Sequence, residues 1–162
     1  MAKVYLLDHL PIPEGNIHRV FGEQDPEAEA LRYSNLIQRI VPQVSGVPVF
    51  DLIMLGMGED GHVASIFPDQ MSLFDHASLC AFAVHPFTGQ KRITMTGQLL
   101  NNARNVTIIT TGKTKEGVLN DLLNNPDREF HYPVSRLREG KGKVTWFVDQ
   151  EIFPASLLNT TS

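Results

Sequence analysis

The stretch FDLIMLGMGEDGHVASIFPD, residues 50–69, decides the fold class of this chain of 162 residues. Its first six residues form an apolar run typical of a buried strand, and the run leads directly into a glycine-rich turn. His62 ends that turn. In an open α/β sheet, ligands bind outside the carboxyl ends of the strands, where glycines let the backbone approach a substrate closely. The stretch therefore predicts an α/β fold with His62 at its functional edge.

Helical and strand patterns alternate along the rest of the chain. A helix is predicted from Pro26 until Pro42, because Asp25 can cap it and apolar residues recur at helical spacing. Residues 8–25 precede it as an ordered connector rich in proline, glycine and charge. The other patterns predict helices at about 97–103 and 114–124, and strands at about 50–55, 79–84, 92–96, 105–111 and 144–148. This alternation favours a Rossmann-like, largely parallel sheet flanked by helices.

The strands expected at 79–84 and 92–96 are a special case. Only the short loop 85–90 separates them, which is too few residues for a crossover helix, so a hairpin-like excursion is predicted around 79–96. The later runs at 106–109 and 144–148 are apolar and carry few charges, as expected for strands covered on both faces. The core is therefore expected to contain the following large side chains: Met54, Phe67, Met95 and Phe147.

Composition limits the classes of function. A chain of this length with 42% apolar residues predicts one α/β domain over residues 1–162. A net charge of −4 without a basic block argues against a nucleic acid as partner. The single cysteine, Cys80, lies in an apolar stretch, which is typical of a buried, inert thiol in a reducing compartment. No apolar run approaches the ~20 residues that span a bilayer, so a cytoplasmic protein without a membrane partner is expected.

Two short segments of the sequence partly match nucleotide-binding motifs. Residues 56–61 satisfy G-x-G-x-x-G, but that fingerprint needs a helix opening at its third glycine, and Pro68 leaves too little room for one. Gly112-Lys113-Thr114 resembles the end of a P-loop, but the required first glycine falls on Thr107. Neither NAD nor a nucleoside triphosphate is therefore expected.

Four segments together resemble a known family. Residues 55–68, LGMGEDGHVASIFP, are similar to the L-G-x-G-x-D-G-H-x-A-S-L-F-P signature of 6-phosphogluconolactonases, which share a fold with glucosamine-6-phosphate deaminases. Three further segments follow in the family's order: RITMT at 92–96, TGKTK at 111–115 and VTWFVD at 144–149. The resemblance covers nearly the whole chain. It implies hydrolysis of 6-phospho-D-glucono-1,5-lactone to 6-phosphogluconate in the pentose phosphate pathway, with no cofactor.

The resemblance also implies a missing part. Members of the family usually carry, before the point where this chain starts, a strand, a Ser-Gly-Gly phosphate loop and an Asp-Glu-Arg motif. The chain is therefore expected to correspond to the carboxyl-terminal two-thirds of such an enzyme. Without these segments, poor catalysis and self-association through an incomplete sheet are expected.

The roles that the resemblance suggests are chemically reasonable. His62 is the expected base that deprotonates the attacking water, and Asp60 is expected to hold its ring in one tautomer. Arg92 and Lys115 offer the charges that anchor the substrate's phosphate. We expect His62, Arg92 and Lys115 around one pocket, because one small sugar phosphate must touch all three. The glycines Gly56, Gly58 and Gly61 are expected to line the substrate site, with backbone N–H groups around 58–61 facing the developing oxyanion.

Two other functions stay open. One is a glucosamine-6-phosphate deaminase or isomerase, although residues 64–69 lack the Asn-Glu pair that such enzymes usually carry there. The other is a non-catalytic fragment that binds a sugar phosphate. His85 lies in the loop just before Arg92, where two interpretations stay open: a residue that lines the site, or a surface-loop histidine, which is the interpretation favoured here. The remaining histidines show no ligand spacing, so no metal is expected: His9, His18, His76 and His131.

Overall fold

The computed structural model describes residues 2–125, 131–140 and 142–153, in which short helices alternate with strands. The helices are α1 (Ala2–Tyr5), α2 (Pro26–Ile40), α3 (Gly97–Leu100) and α4 (Glu116–Asn124). The strands are β1 (Gln43–Val44), β2 (Val47–Pro48), β3 (Ile53–Gly56), β4 (Cys80–Val84), β5 (Lys91–Met95), β6 (Asn105–Thr110) and β7 (Lys143–Val148). Turns of 3₁₀ helix lie at Leu7–His9, Glu14–Asn16, Pro68–Phe74, Lys113–Lys115 and Pro133–Glu139.

The main sheet consists of three parallel strands in the order β3-β6-β7. Gly56 pairs with Ile109, and Thr110 pairs with Val148, so the carboxyl ends of all three strands lie at one edge. This confirms the predicted α/β fold and the prediction that the strands near 50–55 and 105–111 are neighbours. The loops after the three strands must consequently meet at that edge.

Two small antiparallel units accompany this sheet. β4 and β5 form the hairpin predicted around 79–96, with Cys80 opposite Met95 and Val84 opposite Lys91. β1 and β2 form a second, shorter hairpin that the sequence patterns do not predict. Ser45 and Gly46 make its turn at φ angles of 52° and 82°, and that left-handed backbone favours a glycine.

Helix α2 forms where its sequence signals predict it. The Asp25 side chain accepts a hydrogen bond of 3.0 Å from the Ala28 N–H, and Pro26 occupies the first turn. Its buried residue Ile37 packs in a cluster with Leu79, Cys80 and Leu99. This burial raises the pKa of the Cys80 thiol to about 11 and confirms the predicted buried position of that side chain.

Helix α3 ends at Leu100, three residues earlier than predicted. The Asn102 side-chain amide donates to the Gln98 carbonyl at 2.8 Å, in competition with a continuing helical bond. Gly97 at its start lies so close to Phe74 that a Cβ would come within 2.3 Å of the Phe74 carbonyl oxygen. The short helix is therefore a tight link between β5 and β6.

One face of the parallel sheet is buried and the other is not. Ile53, Val106 and Ile108 lie in the larger core cluster together with α4 residues Val118 and Leu122. On the opposite face, exposed apolar side chains form a patch made of Leu52, Met54, Ile109 and Phe147, of which Met54 is 62% exposed and Phe147 60%. The prediction that these strands are covered on both faces is therefore wrong, as is the core position predicted for Met54 and Phe147. Phe67 is buried as predicted, and Met95 is half-buried.

The connector before α2 is attached through a buried carboxylate. Glu29 accepts a hydrogen bond of 2.7 Å from the Phe21 N–H and two from the Arg32 guanidinium, at 2.6 Å and 2.7 Å. These bonds from Arg32 are the main reason that the pKa of Glu29 lies below its ordinary value. Arg32 also stacks on the Phe21 ring at 4.1 Å. In the described part of the chain, no helix is long and apolar enough to cross a membrane.

Candidate active site

The loop that follows β3 forms the centre of the site. Bridges from Val63 to Met57 and to Ile66 fold it back on itself, and the Gly58 N–H donates to the His62 carbonyl at 2.9 Å. Val63, Ile66 and Phe67 are almost fully buried. The loop therefore holds its polar residues on a rigid apolar base, as the pre-positioning of a catalytic group requires.

His62 and Asp60 form a close pair at the open side of this loop. Asp60 Oδ1 lies 2.6 Å from His62 Nδ1 and accepts a second bond, of 3.1 Å, from the His62 backbone N–H. The carboxylate is an acceptor, so it assigns the ring proton to Nδ1 and leaves Nε2 with a lone pair. Within the described residues, Nε2 has no hydrogen-bond partner. The Asp60 contact thus orients the partly exposed His62 imidazole so that its Nε2 can accept a proton.

Gly58 makes this pair possible because it has no side chain. A Cβ at this position would lie 2.1 Å from His62 Nδ1 and 2.8 Å from Asp60 Oδ1. The imidazole therefore occupies the space above the Gly58 backbone. This close approach, and not an unusual backbone angle, is the reason for the second glycine of the motif.

The other two glycines of the motif have different surroundings. Gly61 has a φ of +78°, and a Cβ there would meet Tyr132 at 2.7 Å. Gly56 has nothing within 4 Å of such an atom. The N–H of Gly61 bonds to the Gly58 carbonyl at 3.1 Å, and that of Gly58 is also bonded within the loop. These two N–H groups are therefore not the oxyanion donors expected around residues 58–61, because each already has a partner.

A hollow of about 250 Å³ opens beside the His62–Asp60 pair. It is lined by Glu59, Asp60, His62, Phe67, His85, Pro86 and Phe87. Three aromatic contacts connect its wall: the His62 and Phe67 ring centroids are 4.7 Å apart, those of Phe67 and His85 5.2 Å, and those of His85 and Phe87 6.1 Å. His85 thus lies half-buried in the loop between β4 and β5 and lines the hollow, because the hairpin folds its turn onto Phe67; of the two interpretations of His85, this favours the one at the site.

Arg92 lies on the hairpin but outside this hollow. It shares a face of β5 with Thr94, whose hydroxyl accepts a bond of 3.1 Å from the Ser65 N–H of the site loop. The Arg92 Nε donates to the Gln90 side chain at 3.2 Å. Together with the connector residues Phe21 and Gly22, it lines a separate hollow of about 230 Å³.

Lys115 lies in the turn after β6, at the same edge of the sheet as the site loop. Its Nζ donates to the Thr111 carbonyl at 3.1 Å. Gly112 opens that turn with a φ of +90°, and its N–H donates to Asp149 Oδ2 at 2.8 Å. Asp149 follows β7, so it ties two neighbouring strand ends together. The sequence gives no separate signal for this role, which depends on the pairing of β6 with β7.

The structure thus brings together one part of the predicted site. His62 and Asp60 share a hollow, whereas Arg92 and Lys115 do not line it. Of the predicted single pocket around His62, Arg92 and Lys115, only the adjacent carboxyl ends of β3 and β6 are confirmed. Among the described residues, no group of three or more histidine, cysteine, aspartate or glutamate side chains is placed to hold a metal ion.

The sequence model of one protein family, glucosamine-6-phosphate isomerases/6-phosphogluconolactonase, matches residues 1–146. The 6-phosphogluconolactonase of Treponema pallidum is 46% identical over 126 residues, which are 78% of this chain and 52% of that protein. The 6-phosphogluconolactonase of Haemophilus influenzae is 38% identical over 145 residues, or 90% of this chain and 60% of that protein. A crystal structure of a protein named devB superposes with a TM-score of 0.87 at 34% identity, covering 93% of this chain and 63% of the other.

The matched share of this chain is larger than the matched share of its relatives. Most of this chain is matched in each comparison, but the chain spans only about half to three-fifths of the length of these curated relatives. The site loop and the hairpin both lie within the matched region.

Proposed function

Because this chain belongs to the family of glucosamine-6-phosphate isomerases and 6-phosphogluconolactonases, we propose that it carries the catalytic half of a 6-phosphogluconolactonase site. The reaction is hydrolysis of 6-phospho-D-glucono-1,5-lactone to 6-phosphogluconate. The observation that carries the proposal is the contact of 2.6 Å between His62 Nδ1 and Asp60 Oδ1. It supports a base with a free Nε2 at the carboxyl-terminal edge of a parallel sheet, where substrates of such folds bind.

The proposed reaction needs one base that later acts as an acid. His62 Nε2 takes a proton from a water molecule while the water oxygen attacks the lactone carbonyl carbon. The tetrahedral intermediate then collapses, the bond to the ring oxygen breaks, and the imidazolium returns its proton to that oxygen. Between these two proton transfers, the Asp60 carboxylate stabilises the His62 imidazolium and keeps the ring in place. One water is consumed and no cofactor takes part.

Phosphate binding is proposed for Arg92 and Lys115. A guanidinium offers two parallel N–H donors to phosphate, and the Lys115 ammonium lies at the start of helix α4, where backbone N–H groups favour an anion. Arg92 lies on β5, which bonds to the site loop through Thr94. Lys115 lies in the turn after β6, at the sheet edge where β3 also ends. A substrate that reaches from His62 to either of them extends beyond the hollow of about 250 Å³.

The named relatives favour the lactonase over the deaminase, because both proteins matched above at 38% identity or more are named 6-phosphogluconolactonase. The test is to incubate the 162-residue chain with 6-phosphogluconolactone and, separately, with glucosamine 6-phosphate. A longer form that carries an amino-terminal segment like that of the relatives is assayed beside it. We expect lactone hydrolysis above the spontaneous rate, faster in the longer form, and no release of ammonia. Ammonia release would assign the deaminase instead, and binding without turnover in both forms would assign a sugar-phosphate-binding protein.

Self-association is proposed on the exposed patch of Leu52, Met54, Ile109 and Phe147. Parallel sheets are almost always covered on both faces, and apolar patches of this kind recruit another apolar surface. We propose that a second copy of the chain covers the patch. Sedimentation analysis should give a dimer for the wild-type chain and a monomer for Phe147→Asp. The control is Leu31→Glu on helix α2, an exposed apolar position outside the patch, which should leave the dimer intact. A monomeric wild-type chain would refute this proposal.

The other expectations from the sequence have no test in the structure. A cytoplasmic location, a single domain over residues 1–162 and the absence of a nucleic-acid partner therefore stay predictions.

A further inference from the structure

His85 and His62 face the same hollow from two different elements. His62 lies in the loop after β3, and His85 directly follows strand β4 at the turn of the hairpin. The buried ring of Phe67 stands between them, at centroid distances of 4.7 Å from His62 and 5.2 Å from His85. Both imidazoles are therefore held against the same rigid wall.

The hydrogen bonds of His85 assign it the opposite tautomer to His62. Its Nδ1 accepts from the backbone N–H groups of Phe87 and Thr88, each at 3.3 Å. A nitrogen that accepts from two donors carries no proton, so the ring proton lies on Nε2. None of the described residues accepts a bond from that Nε2–H. One imidazole at the hollow is thus a proton acceptor at Nε2, and the other is a donor at Nε2.

The surroundings fix His85 in this position. Its backbone N–H donates to the Gln90 carbonyl, and its own carbonyl accepts from the Gly89 N–H, both at 2.9 Å. The Gln70 side chain holds the preceding residue, Val84, by bonds of 2.7 Å and 2.9 Å to its carbonyl and N–H. A side chain whose turn is fastened on both sides loses little freedom when it binds a ligand.

We propose that His85 is a substrate-binding residue, whose Nε2–H donates a hydrogen bond to an oxygen of the sugar phosphate while His62 acts as the base. The proposal rests on the proposed lactonase function and deepens it. A neutral donor of this kind serves a polyhydroxylated ligand well, because such a ligand presents oxygens on all sides. The bond is present before the chemistry and persists through it, so its loss should raise KM more than it lowers kcat.

Two conservative variants separate substrate binding from a purely structural role. In His85→Gln, the amide nitrogen lies near the place of Nε2, so a donor to the substrate is kept and the acceptor for the turn is lost. In His85→Asn, the amide oxygen lies near the place of Nδ1, so the turn keeps its acceptor and the substrate loses its donor. We expect a rise in KM of about 10-fold for His85→Asn and a clearly smaller rise for His85→Gln. The reverse order would show that His85 only holds the hairpin turn, and it would overturn the proposal.

A second measurement does not depend on turnover. Long-range proton–nitrogen NMR correlations report which ring nitrogen carries the proton, and 6-phosphogluconate, the product of the proposed reaction, is the probe. We expect a protonated Nε2 on His85 that shifts when the probe is added, and no such shift at the exposed His9. If neither the 162-residue chain nor the longer form has lactonase activity, the proposed function fails, and this titration alone decides the proposal for His85. A proton on Nδ1, or no response to saturating probe, would overturn it.

Discussion

Replacing Gly58 by alanine should disable the site without unfolding the protein. The new Cβ would lie 2.1 Å from His62 Nδ1, whereas ordinary contacts begin at 3.4 Å. The ring must therefore move by about 1.3 Å, the difference between these distances. It is a partly exposed side chain, so it can move outward at small cost in stability. Such a shift breaks the contact with Asp60, and a misplacement of about 1 Å lowers the rate of a positioned reaction by ~10²-fold.

The assay compares two glycine variants of the site loop with a glycine variant outside the site. Gly15→Ala, in the connector before α2, is the control, because its Cβ has nothing within 4 Å and should leave both activity and stability unchanged. Gly61→Ala should instead lower the melting temperature, because its φ of +78° and the nearby Tyr132 strain the backbone. Lactone hydrolysis above the spontaneous rate and thermal unfolding are measured for each variant. Near wild-type turnover in Gly58→Ala would refute the close approach of glycine and imidazole as a requirement of the site.

Two further predictions concern binding and stability. Arg92→Ala should raise KM by about 10-fold with little change in kcat, because phosphate binding is shared by the ground and transition states; Arg39→Ala, at an exposed position on α2, is the control, and a pure loss of kcat would contradict this role. Glu29→Gln should lower the free energy of unfolding by about 1 kcal/mol at pH 7, since Arg32 loses a charged partner. Because the pKa of Glu29 is lowered in the fold, its contribution is complete above the ordinary value of 4.5 and is lost as the pH falls below it, so denaturant unfolding of the two proteins should converge there. The exposed Glu14→Gln should change little at either pH.

The local parts of the site could be predicted from the sequence. The loop at 57–67 follows a strand with a clear apolar run, and a spacing of two residues puts Asp60 within reach of His62 when the chain makes a tight turn. Helix α2 also begins where its cap and proline indicate. In each case the deciding interactions join residues that are close along the chain.

Long-range packing decided what the sequence could not predict. His85 reaches the site because a hairpin folds its turn against Phe67, and no residue near His85 in the sequence encodes that contact. The exposed patch was also missed, since the apolar residues Met54 and Phe147 look the same in a sequence whether or not another surface covers them. For Arg92, the strand was correctly predicted but its surroundings were not. The connector before α2 packs beside Arg92 and provides the hollow that it lines.

The proposed function depends on His62, held by Asp60, as the base of a lactone hydrolase. The most direct test is the kcat of His62→Ala on 6-phosphogluconolactone, measured above the spontaneous rate in the most active form of the protein. We expect a loss of ~10²-fold or more, the usual scale for a general base, with the fold intact by circular dichroism. His9→Ala, which removes an exposed histidine far along the chain, should keep full activity. Turnover by His62→Ala close to that of the wild type would contradict the claim.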